Sequence, residues 1–136
     1  MPSTSPSSTP STPPSPVPQR LVVKVTCGPE ALERLNQGLT VAATAAASGV
    51  EVSLWLTGDA SWVAVPGRAE ELVLPHAAPL AELRDAVLAA GSVTVCGQCA
   101  ARRDLTDADL LPGVQIRGAA AFVEEVMAPG SRSLVY

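Results

Sequence analysis

Short runs of β-branched and aliphatic residues alternate with helix-patterned stretches along this chain, and that alternation admits few folds. Leu21 to Thr26 (LVVKVT) is a strand-like run that stops at Cys27-Gly28-Pro29, where glycine and proline break an extended segment and proline suits the first position of a helix. Glu30 and Glu33 then occupy a first helical turn, and Leu32, Leu35, Leu39, Ala42, Ala43 and Ala46 recur at helical spacing as far as Gly49. Val50 to Leu56 (VEVSLWL) predicts a second strand ending at Thr57-Gly58-Asp59. Residues 57–70 read as a loop containing Trp62, and Glu71 to Leu74 as a short irregular or extended piece. Pro79 opens a helix with Leu80, Leu83, Val87 and Leu88 on one face, closed by Gly91. Ser92 to Val95 is a third strand, and Thr106 and Asp109 have the spacing of a capping box. Val114 to Ile116 predicts a fourth strand, followed through Gly118 by a helix with Phe122, Val123 and Val126 facing inward. Pro129-Gly130 ends that helix, and Ser133 to Val135 makes a fifth strand. Parallel neighbours need crossover connections, so this order predicts an α/β fold with a mostly parallel sheet and helices on both faces.

Residues 1–19 (MPSTSPSSTPSTPPSPVPQ) hold seven of the chain's 13 prolines and no charged side chain. Such a stretch buries too little apolar surface to offset the entropy of ordering, so it is expected to be a disordered tail, with a short docking segment for a partner as the alternative. Residues 20–136 are then one domain with one core. Only four aromatic residues (Trp55, Trp62, Phe122 and Tyr136) serve it, so Val, Leu and Ala must build it. The net charge of −4, with nine Lys plus Arg scattered except at Arg102-Arg103, offers no basic face and argues against nucleic acid as a partner. Val41 to Ala47 is the most apolar stretch and is too short to cross a membrane. With neither a basic start nor an apolar run at the N-terminus, the cytoplasm is the expected compartment.

In an open parallel sheet, chemistry gathers at the carboxyl ends of the strands. Cys27, Thr57-Gly58-Asp59 and Cys96 all fall there. Cys96 ends the third strand and begins Cys96-Gly97-Gln98-Cys99, where free backbone N–H groups of the following helix favour a thiolate. Cys99 lies one turn on, positioned to act as a resolving thiol. Cys27 has no cysteine near it in sequence and reads first as a core or strand-end thiol. Arg102 and Arg103 either compensate the helix end or bind an anionic substrate. A zinc site assembled from Cys27, Cys96, Cys99 and His76 would lack the second paired motif of a familiar finger, so no metal or cofactor is expected. His76 reads as a loop residue. Neither a nucleophile elbow nor a glycine-rich phosphate loop is present in the sequence.

The segment Val93-Thr94-Val95-Cys96-Gly97-Gln98-Cys99-Ala100-Ala101-Arg102-Arg103, taken with the Leu21 to Thr26 strand, Val52-Ser53-Leu54-Trp55-Leu56-Thr57-Gly58-Asp59 and Gly118-Ala-Ala-Ala-Phe-Val123, resembles the DsrE/DsrF-like family over about residues 20–136. That family includes sulfur-relay subunits of the DsrEFH and TusBCD kind. The resemblance implies a three-layer α/β/α fold with a five-stranded parallel sheet, homo-oligomers that are trimers or hexamers, and a persulfide carried on Cys96 between sulfur donor and acceptor proteins. Cys99 departs from the relay pattern, in which the carrier cysteine usually has no second thiol three residues on, and permits a disulfide-forming redox role. The reading from another class is a non-catalytic oligomeric module that binds a small ligand or a partner at the strand-end cleft.

Overall fold

Val22, Val23 and Val25 are fully buried, as the first β-branched run requires of a central strand. The structure is a computed structural model and describes residues 19–136; apart from Gln19, the tail expected over 1–19 lies outside the described residues. Strands β1 (Arg20–Val25), β2 (Glu51–Leu56), β3 (Ser92–Cys96), β4 (Gln115–Arg117) and β5 (Ser131–Val135) form one sheet in the order β4-β3-β2-β1-β5, with every pairing parallel. Helices α1 (Leu32–Ala47), α2 (Leu80–Ala90), α3 (Gly97–Arg102) and α4 (Ala119–Met127) carry the crossovers. The chain steps outward from β1 to β4 and then returns to the far side of β1, so the fold is the expected α/β arrangement.

Strand alternation gives the sheet two unlike faces. Val23, Val25, Val52, Leu54, Leu56, Val93 and Val95 point to one of them and pack with Leu35 and Leu39 of α1 and Leu80 and Val87 of α2 in the apolar core. The intervening residues Lys24, Ser53, Trp55, Thr94, Cys96 and Arg117 take the opposite face because successive side chains alternate. Register aligns Lys24 with Trp55, Trp55 with Thr94, and Cys96 with Arg117.

Apart from the fully buried Val22, this second face is largely polar, and it determines how α4 binds. Glu125 accepts hydrogen bonds on Oε2 from Ser53 Oγ (2.6 Å) and Trp55 Nε1 (2.8 Å), and on Oε1 from an Arg117 guanidinium nitrogen (2.8 Å). One turn earlier, Phe122 meets Trp55 edge-on with ring centroids 5.3 Å apart. The sequence pattern placed Phe122, Val123 and Val126 inward, but Val123 is 55 % exposed and no residue of α4 is fully buried. The physical reason is that buried polar groups on the sheet must find partners, so the helix presents Phe122 and Glu125, three apart on one face, and leaves Val123 and Met127 outward.

Residues 57–70 also differ from the expected loop. Gly58–Ala64 winds into a 3-10 helix, with Ala60, Ser61, Val63 and Ala64 buried and Trp62 stacked under Arg68, whose guanidinium lies 4.3 Å from the ring centroid. Small residues at these positions allow the close packing that periodicity over so short a span does not disclose. The excursion is tied to α2 by Arg84, which is only 2 % exposed and donates to the Val63 carbonyl, Glu70 and Asp85. The Thr106–Asp109 capping box forms as its spacing predicts, with Thr106 N–H donating to the Asp109 carboxylate at 2.8 Å.

Burial pushes the Glu125 carboxyl up, but its bonds to Ser53, Trp55 and Arg117 outweigh this and hold it below the ordinary glutamate range. Its contribution to stability is therefore complete above the ordinary glutamate pKa and is lost as pH falls through the lowered folded-state value. Glu125→Gln keeps the shape and removes the charge; urea unfolding near neutral pH is expected to show a loss of about 1–3 kcal/mol, shrinking in acid. An unchanged unfolding midpoint near neutrality contradicts this account of α4.

Candidate functional site

Cys96 closes β3 in extended conformation (φ −62°, ψ 130°), and its side chain emerges on the α4 side just where the chain turns into α3. It lines a cavity of about 50 Å³ together with Lys24, Trp55, Thr57, Ala119 and Phe122. Ala119 and Phe122 belong to α4, so the Glu125 anchorage also positions one wall of this cavity. Burial pushes the Cys96 thiol up, but the backbone N–H groups of Cys99 and Gln98, the Cys99 thiol and the Lys24 ammonium outweigh it, and its pKa lies below that of an ordinary cysteine. A larger hollow of about 370 Å³ is lined by Ala31, Leu32, Glu33, Arg34 and Gln37 and not by a cysteine.

Cys99 is buried within α3, and its sulfur accepts a hydrogen bond from the Gly58 N–H at 3.1 Å. With its acceptor side engaged, the Cys99 thiol is set to donate toward Cys96. Two strand-end loops make this possible. Gly58 has φ +54° and brings its α-carbon so close to the Thr26 carbonyl that a Cβ there would lie 2.8 Å from the oxygen. Gly28 lets the loop after β1 pass directly against the Asp59 backbone, where a Cβ would collide with the Asp59 carbonyl. Arg103 then joins the second loop to α3, donating through Nε and one terminal nitrogen to Asp59 Oδ1 at 3.1 and 2.8 Å and through the other terminal nitrogen to the Cys99 carbonyl at 3.0 Å. Arg103 is thus a fastener behind the dithiol, whereas Arg102 is exposed on the last turn of α3.

The other candidates do not join this cluster. Cys27 is buried, donates only a long contact to the Ala31 carbonyl (3.9 Å), and has its pKa raised by burial despite the nearby Arg34 charge. His76 occupies an exposed turn with φ 57°. Among the described residues, no three metal-ligating side chains converge, so Cys27, Cys96, Cys99 and His76 do not assemble the zinc set.

Sequence reasoning missed Lys24, Trp55 and Glu125. The signal for the first two is present in the strands: Lys24, Ser53, Trp55 and Thr94 interrupt otherwise aliphatic runs at positions of one parity, which marks one face of the sheet as something other than apolar core. Glu125 carries no comparable signal, because a glutamate in a short helix is ordinarily a solvated residue.

A family model described as the DsrE/DsrF-like family matches residues 19–129. The uncharacterized protein MJ0989 of Methanocaldococcus jannaschii is 31 % identical over 109 residues, covering 78 % of this chain and 93 % of that protein. The crystal structure of the ychN protein from E. coli superposes with a TM-score of 0.72 at 19 % identity, covering 87 % of this chain and 99 % of that one. MTH1491 of Methanobacterium thermoautotrophicum, a protein of unknown function, superposes with a TM-score of 0.61 at 11 % identity over the same shares. At these identities the two structures bear on the fold alone.

The site geometry orders the thiols by reactivity. Near neutral pH, iodoacetamide should modify Cys96 first and Cys27 last, with about tenfold or more between them, as followed by peptide mass spectrometry; Cys27 reacting at the rate of Cys96 contradicts the electrostatic assignment.

Proposed function

The chain belongs to the DsrE/DsrF-like family, and we propose from that membership and the Cys96 surroundings that it is a sulfur-relay or thiol-redox protein. The observation that carries this reading is a strand-end thiol with a lowered pKa, flanked by an ammonium and a second thiol and opening on a small cavity. The Cys96 thiolate attacks the outer sulfur of a donor persulfide, R–S–SH. A bond forms between Cys96 Sγ and that sulfur as the donor S–S bond breaks, giving Cys96–S–SH and R–S⁻. An acceptor thiolate then takes the outer sulfur by the same exchange and regenerates Cys96.

Cys99 supports a second outcome, because its thiol is among the groups that lower the Cys96 pKa. Attack of the Cys99 thiolate on the inner sulfur gives the Cys96–Cys99 disulfide and releases HS⁻. A dithiol reductant must then reopen the disulfide. In this reading the chain acts in the cytoplasm, where thiols stay reduced; among the described residues, no helix is long and apolar enough to cross a membrane. The reading also includes a trimer or hexamer, for which the exposed Val123, Met127, Leu134 and Val135 at the α4–β5 side supply apolar surface.

Reduced wild type, Cys96→Ser and Cys99→Ser, each incubated with a persulfide donor, are expected to differ in intact mass: wild type and Cys99→Ser gain sulfur and Cys96→Ser does not. No gain in wild type, with thiols alkylating no faster than free cysteine, leaves the non-catalytic binding module instead. Sedimentation of the reduced protein as a monomer at micromolar concentration contradicts the assembly.

A further inference from the structure

Lys24 lies on β1, a strand with neighbours on both sides, and its side chain takes the face opposite Val23 and Val25, half-buried and in register with Trp55. An ammonium beside apolar rings gains more from a nearby counter-charge than one in bulk water does. The described carboxylates that form ion pairs are taken by other residues: Glu51 by Arg20, Glu70 and Asp85 by Arg84, Asp59 by Arg103, and Glu125 by Arg117. Among the described residues, Lys24 has no ion pair; its Nζ stands 4.8 Å from the Phe122 ring centroid, an attraction worth less than a desolvated ion pair. Lys24 and Cys96 line the same cavity with Trp55, Thr57, Ala119 and Phe122. At about 50 Å³, the space matches about one or two water molecules and falls well short of the roughly 300 Å³ at which small-molecule pockets begin.

We propose that this cavity is a chamber for a single sulfur atom, the outer sulfur of a Cys96 persulfide, and that Lys24 is the positioning residue whose ammonium pairs with the persulfide anion there. The inference rests on the reading of Cys96 as the sulfur acceptor and names what holds the sulfur once it arrives. On transfer, Cys96–S⁻ and R–S–SH become Cys96–S–S⁻ and R–SH, the persulfide proton passing to the departing thiolate. Trp55 and Phe122 give the anion apolar walls, and Lys24 supplies the counter-charge beside them. A deprotonated persulfide is a poor electrophile, so the pairing also protects the sulfur from stray nucleophiles until an incoming acceptor thiol gives up its proton, restores Cys96–S–SH and attacks as the thiolate. The charged and titratable groups around it are Lys24 from β1, Arg117 from β4, Cys99 from α3, and Glu125 of α4, which is held by Arg117. A low-molecular-weight donor must react at the mouth of the chamber, because the interior cannot enclose its carrier.

The test compares wild type, Lys24→Met and Lys24→Arg, loaded with a small persulfide donor and exposed to cyanide, with protein-bound sulfur followed by intact mass. Lys24→Met, neutral and of similar length against two aromatic rings, is expected to load more slowly and to lose sulfur about three- to tenfold faster. Its ultraviolet thiolate absorbance should also appear at higher pH than in wild type. Lys24→Arg restores the charge and should recover most of both properties, which a merely structural role for Lys24 would not produce. If wild type and Lys24→Met load, release and titrate alike while both keep native circular dichroism, Lys24 has no such role and the Cys96 reading survives. If wild type takes up no sulfur, the Cys96 reading itself fails. Should Lys24→Met not fold, wild-type behaviour of Lys24→Gln overturns the proposal equally.

Discussion

Parallel pairing of all five strands leaves every carboxyl end at one edge of the sheet, and the candidate site depends on that constraint. Cys27-Gly28, Thr57-Gly58-Asp59 and Cys96 arrive there from three adjacent strands. A parallel sheet must also be covered on both faces, and the two coverings differ in kind. Aliphatic side chains hold α1 and α2 to one face. Glu125, bonded to Ser53, Trp55 and Arg117, holds α4 to the other. Because α4 supplies Ala119 and Phe122 to the Cys96 cavity, the carboxylate that anchors the helix also fixes the shape of the space beside the thiol.

Opposed effects set the state of Cys96. Burial alone would raise its pKa and make it inert, as it does for Cys27. Donors from α3, the Cys99 thiol and the Lys24 charge reverse that outcome. Cys99 can serve as a donor because Gly58 N–H occupies its sulfur as an acceptor, and Gly58 is held there by a backbone twist that favours glycine and by the Arg103 to Asp59 pair. The dithiol is therefore braced by a loop from a different strand, and disturbing Asp59 or Arg103 should act on the thiols from behind.

Much of this was legible in local patterns. The five strands, the helix boundaries at Gly49 and Gly91, the Thr106–Asp109 box and the position of Cys96 at a strand-to-helix junction all depend on residues close in sequence. Gly58–Ala64 was not legible, since small buried residues over two turns carry no periodic signature. The underside of α4 was misread for a related reason: Val123 looks like a core residue until the sheet face beneath is known to be polar. That face comes from Lys24, Ser53, Trp55, Thr94 and Arg117, which lie on four strands and meet only through register. Arg103, read as helix-end compensation or as an anion contact, finds its partner Asp59 44 positions away, beyond the reach of any local pattern.

The proposed point of entry for sulfur is Cys96. Loading with an isotopically labelled persulfide donor, blocking with an alkylating agent and fragmenting the peptide that ends at Arg102 locates the label directly, because Cys96 and Cys99 lie on the same peptide and separate only on fragmentation. Labelled sulfur is expected on Cys96 before any appears elsewhere. Label that settles first on Cys27 or Cys99, with Cys96 recovered unmodified, contradicts it.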